Sequence, residues 1–323
     1  MLCKEYGPPE TLVLEDVASP TPGPGEVVIS VKAASVNFPD VLIIQNKYQV
    51  KPELPFSPGS ECAGLVKEVG EGVTRVRPGD RVMAVTTYGS FAEEVKTHES
   101  RVLPMIQGMD FIHAAAFTLT YSTSAHALAD RGEVKAGETL LVLGASGGVG
   151  IAAIEIGKAM GARVIACAST VEKLEVCREH GADDLINYTT EDFRERIKEM
   201  TAGHGVDVVY DAVGGRYSEP ALRSTAWRGR FLVVGFAAGD IPKIPLNLTL
   251  LKGCSIVGVF WGEFVRREPE RFAAVVTQLG DWYKAGKLKP HVSETMPLER
   301  APDALARMAS RDVKGKLVLT TGS

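Results

Sequence analysis

A glycine-rich turn, Gly144-Ala-Ser-Gly-Gly-Val-Gly150, has the composition and spacing to bind a phosphate group. It follows an apolar strand pattern and precedes a helical one. In that context glycine lets the backbone approach a pyrophosphate closely, and the N–H groups at the start of the helix stabilise its negative charge. Gly147 and Gly150 match the G-x-G-x-x-G pattern, whereas Ala145 replaces its first glycine. The turn predicts dinucleotide binding, and the expected contacts are Ser146, Gly147, Gly148 and Val149.

The end of the following strand indicates which dinucleotide is bound. An NAD site places an acid about 20 residues after the glycine turn, where it bonds the ribose 2′-hydroxyl. Here Ser169 lies at that position and the first acid is Glu172. A small hydroxyl leaves room for a 2′-phosphate, and Lys173 lies one helical turn along, where it could pair with that phosphate. We therefore predict NADPH, bound by Ser169 and Lys173; a solvated surface lysine is the alternative for Lys173.

The composition is that of a globular protein with two domains. The 323 residues are 45% hydrophobic and 24% charged, with a formal net charge of −4 and a pI of about 5.9. An acidic chain is poorly suited to the phosphates of nucleic acid, so such a partner is not expected. Because there is no secretory leader and no run of about 18 apolar residues, we expect a soluble cytoplasmic protein. The five cysteines form no C-x-x-C pair, which argues against a disulfide framework or a Cys₄ zinc site.

The first 110 residues or so have the pattern of short strands and turns. Strands are predicted at 26–32, 63–69 and 79–85, separated by turns rich in glycine and proline. Many short strands of this kind are typical of a compact β-barrel-like domain.

Beyond residue 110, strands alternate with helices. Helices are predicted at 114–131, 149–160, 172–180 and 191–200. Short, apolar strands are predicted at 139–143, 163–168, 184–188, 206–211, 230–234 and 254–260. This alternation indicates a parallel sheet covered on both faces. Six such strands predict a doubly wound Rossmann domain with the order 3-2-1-4-5-6.

The last segment is too short for a third domain. A helix at 269–285, a short helix at 301–309 and a strand at 316–320 are predicted there. We expect this segment to return to the first domain and complete it. The predicted domains are therefore 1–119 with 261–323, and 120–260.

Several segments spread over nearly the whole chain match a known family. They are Asn37-Phe-Pro-Asp40, Tyr48, 58–64, 76–82, 119–128, 145–150 and 315–319. On these segments the chain resembles the zinc-independent medium-chain dehydrogenases/reductases of the NADPH:quinone oxidoreductase and zeta-crystallin kind. The resemblance implies an α/β protein with a GroES-like β-barrel catalytic domain, made from both chain ends, and a Rossmann domain. It also implies a cofactor in the cleft between the domains and a homodimer joined through the sixth Rossmann strands.

The positions that bind zinc in metal-dependent relatives carry other residues here. Asn37 lies where those relatives place a cysteine, and Ser60 lies where they place a histidine, before Glu61. The four-cysteine structural lobe is missing. A catalytic zinc needs three protein ligands, which Glu61 and the neighbouring Cys62 do not supply. We therefore expect no metal, so that hydride chemistry depends on the cofactor.

Two residues are the catalytic candidates that the resemblance implies. Asn37 resembles an amide that contacts the nicotinamide ribose or the substrate; a turn asparagine is the alternative. Tyr48 resembles the tyrosine of enoyl-thioester reductases, and a phenol of pKa about 10 is protonated at neutral pH. It could give a proton to the substrate as hydride arrives, or it could be a packing residue. For Asp40, a structural salt bridge is the favoured interpretation.

Further cofactor contacts are carried over from the family by position. They are Asn37, Thr120, Tyr188, Phe236, Phe260 and Lys316. Backbone groups near the two phenylalanines should face the nicotinamide amide, although their rings could equally be core. Lys316 resembles a cofactor-facing residue, with a surface lysine as the alternative. His126 is expected to be a packed, hydrogen-bonded histidine.

The leading function is NADPH-dependent reduction of a quinone or another electron-poor double bond. The alternative within that class is an enone or enoyl-thioester reductase, of the acryloyl- or enoyl-CoA type, for which Tyr48 argues. A further alternative is a non-catalytic NADPH-binding structural or RNA-associated protein. The acidic pI and the lack of a basic, aromatic stripe argue against RNA.

Overall fold

In the computed structural model, which describes residues 1–322, the chain separates into two units. Unit 1 combines Met1–Leu119 with a return segment, 291–322, and unit 2 comprises Thr120–Pro290. Each unit is built around its own β-sheet. No helix within residues 1–322 is both long and apolar enough to cross a membrane.

The strands are numbered along the described chain. They are β1 (Glu26–Ser35), β2 (Glu61–Val69), β3 (Arg81–Val85), β4 (Glu94–His98), β5 (Val102–Pro104), β6 (Thr139–Leu143), β7 (Arg163–Ala168), β8 (Asp184–Asn187), β9 (Val206–Asp211), β10 (Thr225–Val233), β11 (Ser255–Gly258), β12 (Val292–Pro297) and β13 (Lys316–Thr320).

The α-helices are numbered in the same way. They are α1 (Phe38–Ile43), α2 (Phe111–Ala115), α3 (Thr118–Ala125), α4 (Gly148–Ala159), α5 (Val171–Glu179), α6 (Phe193–Met200), α7 (Ser218–Arg223), α8 (Asn247–Lys252), α9 (Trp261–Arg267), α10 (Pro269–Lys284) and α11 (Ala301–Ala309).

The sheet of unit 1 takes strands from both ends of the chain. Its order is β12-β13-β1-β2-β3-β5, and β4 also pairs with β1. The first half of β1 pairs with β4, and its last three residues pair antiparallel with β13. Pairing of the last residues with β13, and of two of them also with β2, explains why β1 runs to Ser35, beyond the end at residue 32 that its local pattern predicts. The barrel-like unit expected from the sequence is confirmed.

The sheet of unit 2 is parallel throughout, with the order β11-β10-β9-β6-β7-β8. Numbered within the unit, this is the predicted order 3-2-1-4-5-6, so the doubly wound fold is confirmed. The strands β6, β7 and β9 have the predicted bounds, because turn-forming residues such as Gly144 and Gly205 flank their mainly apolar runs. Their side chains are almost all buried, as expected for strands covered on both faces.

Residues 261–290, which we expected in the first unit, lie in unit 2. The ring of Phe264 on α9 stacks on His126, with ring centroids 3.9 Å apart. Near the end of the segment, the amide of Lys289 donates to Glu155 Oε2 on α4 at 2.9 Å. These contacts fix the segment to unit 2, and the return to unit 1 begins at residue 291 rather than 261.

The Ala-rich segment 114–131 is not a single helix. It is divided among α2, α3 and a π-helical turn over His126–Arg131. His126 is 6% exposed, its Nδ1 lies 2.8 Å from Asp130 Oδ2, and its ring stacks on α9. It is therefore the packed, hydrogen-bonded histidine that the sequence predicts.

Candidate active site

The glycine turn between β6 and α4 has a shape that a side chain would block. A Cβ added at Gly150 would lie 2.4 Å from the carbonyl oxygen of Gly144 and 2.6 Å from that of Ala145. Gly147 is the N-cap of α4, so the first amide groups of the helix have no partners within it. Open N–H groups at the positive end of a helix dipole fit a pyrophosphate, and the glycines leave room for one.

The alanine that departs from the glycine pattern is accommodated by the geometry of the turn. The left-handed residue is Gly144, with φ of 66°, one position before Ala145. Ala145 is fully buried, and its amide donates to the carbonyl of Cys167 on β7 at 3.1 Å. This position therefore needs a small residue and not glycine itself.

Ser169 and Lys173 lie in one strand–helix turn, after β7. Thr170 caps α5, its hydroxyl accepting the amide of Lys173 at 3.3 Å. The Thr189 hydroxyl donates to the Ser169 carbonyl at 3.0 Å, which ties the ends of β7 and β8 together. Lys173 is half-buried in the first turn of α5. The turn thus groups the two residues proposed to read the ribose, and their contact with a cofactor stays a prediction.

The remaining candidates of unit 2 lie at strand ends and in α3. Tyr188 follows β8, and its ring centroid lies 4.3 Å from that of Tyr217. Phe236 and Phe260 are 37% and 57% exposed, so neither ring is part of the core. Thr120 is buried in α3. Their roles as cofactor contacts stay predictions.

Asp211 shapes the turn after β9 and was not singled out from the sequence. Its Oδ1 accepts the amides of Val213 and Gly214, both at 2.8 Å, and its Oδ2 accepts the hydroxyl of Ser218 at 2.6 Å. A buried acid at the carboxyl end of a parallel strand, followed by glycines, is the signal that could have identified it.

Unit 1 contains a buried polar cluster of four side chains: Asn37, Asp40, Glu61 and Lys316. All are at most 4% exposed. Lys316 is the first residue of β13. Its ammonium group donates hydrogen bonds to Asn37 Oδ1 at 2.5 Å and to the Val36 carbonyl at 3.1 Å. Its Nζ lies 4.0 Å from Glu61 Oε2. The alternative of a surface lysine is therefore wrong.

Glu61, at the start of β2, is well supplied with donors. Its Oε1 accepts the amide of Leu119 at 2.7 Å, and its Oε2 accepts the hydroxyl of Ser35 at 2.8 Å. Ser35 Oγ in turn accepts the side-chain amide of Asn37 at 3.1 Å. Both ends of the Asn37 amide are thus engaged, which holds that side chain in one orientation.

Asp40, in the first turn of α1, is not in the salt bridge that we expected. Its Oδ2 accepts the backbone amide of Asn37 at 2.8 Å. Within residues 1–322, neither its Oδ1 nor the buried Ser60 Oγ has a hydrogen-bond partner of ordinary geometry. The Ser60 hydroxyl is nevertheless near enough to favour the Asp40 carboxylate. The cause is local, because the carboxyl lies at the N-terminus of α1. There a backbone amide donates to it, and no cation is needed.

Burial dominates the acid–base properties of the cluster. It raises the pKa of Asp40 to about 7, against the opposing effects of Asn37, Ser60 and Lys316. It also raises the pKa of Glu61 and lowers the pKa of Lys316, although these two groups stabilise each other's charge. At least one carboxyl of the cluster therefore titrates near neutral pH.

Tyr48 follows α1, is half-buried and packs against the apolar core of unit 1. Burial raises the pKa of its phenol, and the charge of Asp40 raises it further. The hydroxyl is therefore protonated at neutral pH, as a proton donor must be.

The residues of unit 1 do not fit a metal ion. No group of three or more His, Cys, Asp or Glu side chains suited to a metal occurs within residues 1–322. Cys62, beside Glu61, is fully buried, and burial raises the pKa of its thiol to about 12. A thiol in that state is a poor ligand, because metals bind the thiolate.

Two family models match the chain. The model described as alcohol dehydrogenase GroES-like domain matches residues 23–112, and the model described as zinc-binding dehydrogenase matches residues 148–280. The first match lies in unit 1 and the second in unit 2.

Individual proteins match over almost the full length. Quinone oxidoreductase-like protein 2 homolog of Nematostella vectensis is 38% identical over 99% of this chain and 88% of its own. The structure of Escherichia coli quinone oxidoreductase complexed with NADPH has a TM-score of 0.92 and 30% identity, covering 98% of both chains. The structure of CurK enoyl reductase has a TM-score of 0.88 and 28% identity, covering 98% of this chain and 97% of that one.

Proposed function

The chain belongs to the quinone oxidoreductase family of medium-chain dehydrogenases/reductases and is an NADPH oxidoreductase, and we propose that it reduces quinones or other electron-poor double bonds without a metal. The observation that carries this proposal is the combination of a glycine turn with open amide groups in unit 2 and a buried cluster of proton-holding groups in unit 1. Bound NADPH would supply the hydride. The protein would supply binding, orientation and protons.

The cofactor would be held mainly by backbone groups and by the strand ends of unit 2. The amides of 146–149 would bind the pyrophosphate, and Ser169 with Lys173 would accept the 2′-phosphate. Thr120, Tyr188, Phe236 and Phe260 are the further proposed contacts there. In unit 1, Asn37 and Lys316 are proposed contacts whose side chains are already fixed to each other.

The substrate is either a quinone or an enone, and the two need different help from the protein. A quinone can take its protons from water after reduction. An enone or enoyl thioester takes hydride at the β-carbon and needs a proton at the α-carbon. The half-buried, protonated Tyr48 favours the second class, as does the likeness to an enoyl reductase. The quinone oxidoreductase relatives favour the first.

Oxidation of NADPH, followed by its absorbance, tests the proposal against panels of quinones and enoyl-CoA thioesters. We expect turnover with at least one panel and a preference for NADPH over NADH. Binding of NADPH without oxidation by any member of either panel would instead support a non-catalytic role.

The same preparation tests the metal-free mechanism. Elemental analysis should find no stoichiometric zinc, and chelation should leave turnover unchanged. One zinc per chain that is required for turnover would contradict the proposal.

An exposed apolar edge of unit 2 supports a homodimer. In the described part of the chain, β11 pairs only with β10, so its other edge is open. Nearby Trp227, Leu246, Leu250 and Leu251 are each at least 70% exposed. An open strand edge beside large apolar side chains is a surface that a second copy could cover. Sedimentation should show a dimer that L250E/L251E disrupts. A cytoplasmic location and the lack of a nucleic-acid partner stay predictions.

A further inference from the structure

The buried polar cluster contains more acid than base. Asp40 and Glu61 are both fully buried, and Lys316 is the cation that they share. A second buried carboxylate without a cation of its own is very costly. Glu61 has two hydrogen-bond donors and lies nearer to the ammonium group, whereas Asp40 Oδ2 has one backbone donor. The proton that balances the cluster therefore belongs on Asp40.

Two unpaired atoms lie at the carboxyl that would hold this proton. Asp40 Oδ1 and Ser60 Oγ are both buried and both lack a partner of ordinary geometry within residues 1–322. Buried polar atoms are rarely left unpaired. The Ser60 hydroxyl can accept from a protonated Oδ1 or donate to an ionised one, so a small adjustment satisfies both atoms in either state, and donation favours the carboxylate.

Tyr48 is the candidate proton donor on which the charge of Asp40 acts. Asp40 and Tyr48 lie on the same segment, one in α1 and the other just after it, and the two groups interact electrostatically. When Tyr48 gives up its proton it becomes a phenolate. An ionised Asp40 would then face a second negative charge in a largely buried site, and a protonated Asp40 would not.

We propose that Asp40 is a positioning residue for proton delivery, whose own protonation state decides how readily Tyr48 donates. This inference rests on the proposed reduction of an enone. In that step hydride adds to the β-carbon with two electrons from NADPH, the O–H bond of Tyr48 breaks and a C–H bond forms at the α-carbon. The phenolate then regains a proton from solvent. This step is fast when Asp40 is neutral and slow when it is ionised.

The groups facing Asp40 are Asn37, Ser60, Glu61, Lys316 and Tyr48. Asn37 and Ser60 do not titrate, and Glu61 and Lys316 stabilise each other as an ion pair. Asp40 has a pKa of about 7, so its ionisation falls in the range where the enzyme can be assayed.

The test is the pH dependence of kcat with an enone at saturating NADPH, for the wild type, Asp40→Asn and Asp110→Asn. Asparagine mimics the protonated carboxyl and can still accept the Asn37 amide. Asp110 is the matched control, because it too binds an amide in the first turn of a short helix but lies on the surface. We expect the rates of wild type and Asp110→Asn to fall as pH rises through 7, by at most about tenfold for each pKa unit that the charge of Asp40 adds to the phenol. Asp40→Asn should stay fast throughout.

If kcat of Asp40→Asn fell with rising pH as it does in the wild type, the proposal would be overturned. If that variant does not fold, Ser60→Ala carries the test. Loss of the hydroxyl removes a group that favours the carboxylate, so the fall should move to higher pH. An unchanged midpoint in Ser60→Ala would also overturn it.

A measurement without substrate separates this inference from the proposed function. Tyrosine labelled with ¹³C at Cζ reports phenol ionisation by NMR, and Tyr48→Phe assigns the signal. The pKa of Tyr48 should be lower in Asp40→Asn than in the wild type, because a negative charge has been removed. An identical pKa in both refutes the inference even if enones are reduced. A lower pKa supports the link to Asp40 even if no enone is a substrate, and in that case the reduction proposal alone fails.

Discussion

Unit 2 presents its candidate site mainly through the backbone, whereas unit 1 presents its site through side chains. The turn at 144–150 offers amide groups and empty space, and it contains no ionisable side chain. The buried polar cluster offers two carboxyls, an ammonium group and a carboxamide, drawn from α1, β2 and β13. A site made of backbone groups can bind a ligand only where no side chain fills the space. A side-chain site depends on charges that must be balanced once they are buried.

The difference predicts how each site will respond to mutation. In unit 1 a change that keeps shape but removes a polar group should have a large effect. In unit 2 a change that adds a single carbon to the turn should disturb the fold itself, whereas loss of a charged side chain should weaken only cofactor binding. The following variants are ordered from the largest expected effect to the smallest.

Tyr48→Phe should give the largest functional loss. The ring and its packing are kept, and only the hydroxyl is removed. If the phenol delivers a proton, kcat with an enone should fall roughly 10²–10⁴-fold, whereas kcat with a quinone should fall much less. Steady-state rates for both substrates at saturating NADPH make the comparison. Equal, small losses would leave Tyr48 as a packing residue, and equal, large losses would mean that it holds the cofactor or its own loop.

Lys316→Met should be the most destabilising change in the buried polar cluster. It leaves Glu61 buried without its cation, and removal of one partner of a buried pair costs about 3–5 kcal/mol. Urea unfolding followed by circular dichroism measures the free energy of unfolding. Lys158→Met is the control in unit 2, because its partner Asp183 is 37% exposed and such pairs contribute about 0–1 kcal/mol. Adding Glu61→Gln should restore much of the loss; no restoration would mean that the two charges are not coupled.

Gly150→Ala tests the backbone site with a single added carbon. Its Cβ would lie 2.4 Å from a carbonyl oxygen, so the turn must shift, at a cost of about 1–3 kcal/mol. Gly147→Ala is the matched control, because its Cβ would lie 3.5 Å from the same oxygen. The three tryptophans lie in unit 2 and report its unfolding by fluorescence. Equal stability of the two variants would show that the turn is more plastic than its geometry indicates.

Lys173→Ala comes last because it should affect the binding of one cofactor only and leave the fold unchanged. A charge-assisted hydrogen bond to a phosphate contributes roughly 1.5–3 kcal/mol, so NADPH should bind about tenfold or more weakly. The dissociation constant of NADH, which has no 2′-phosphate, should hardly change. Titration of both cofactors by fluorescence decides the matter, and equal weakening would show that Lys173 does not read the 2′-phosphate.

The backbone site was the easier of the two to predict from the sequence. Gly147 and Gly150 lie three residues apart in one turn, and the alternating strands around them establish the order of the sheet. The side-chain site could be predicted only in part. Asn37 and Lys316 were each identified by resemblance, but no local pattern shows that they touch, because 279 positions separate them.

Two expectations were wrong for a related reason. Asp40 was expected in a salt bridge, and the segment 261–290 was expected in unit 1. Charge alone suggested a cation for Asp40, but its helix supplies a backbone amide instead. The segment 261–290 has no sequence motif of its own, and its place is decided by Phe264 and Lys289, which contact distant parts of unit 2.

Because β1 pairs with β13, unit 1 can finish folding on the ribosome only after unit 2 has been synthesised. Unit 2 is one continuous stretch and can fold as soon as it has emerged, but unit 1 cannot close until β13 has been made. At about 5–20 residues per second, the early strands wait on the order of tens of seconds for their last partner. During that interval β1 has an open edge, and Glu61 lacks the cation that Lys316 later provides. The nascent chain therefore carries unit 1 unfinished until β13 has been made.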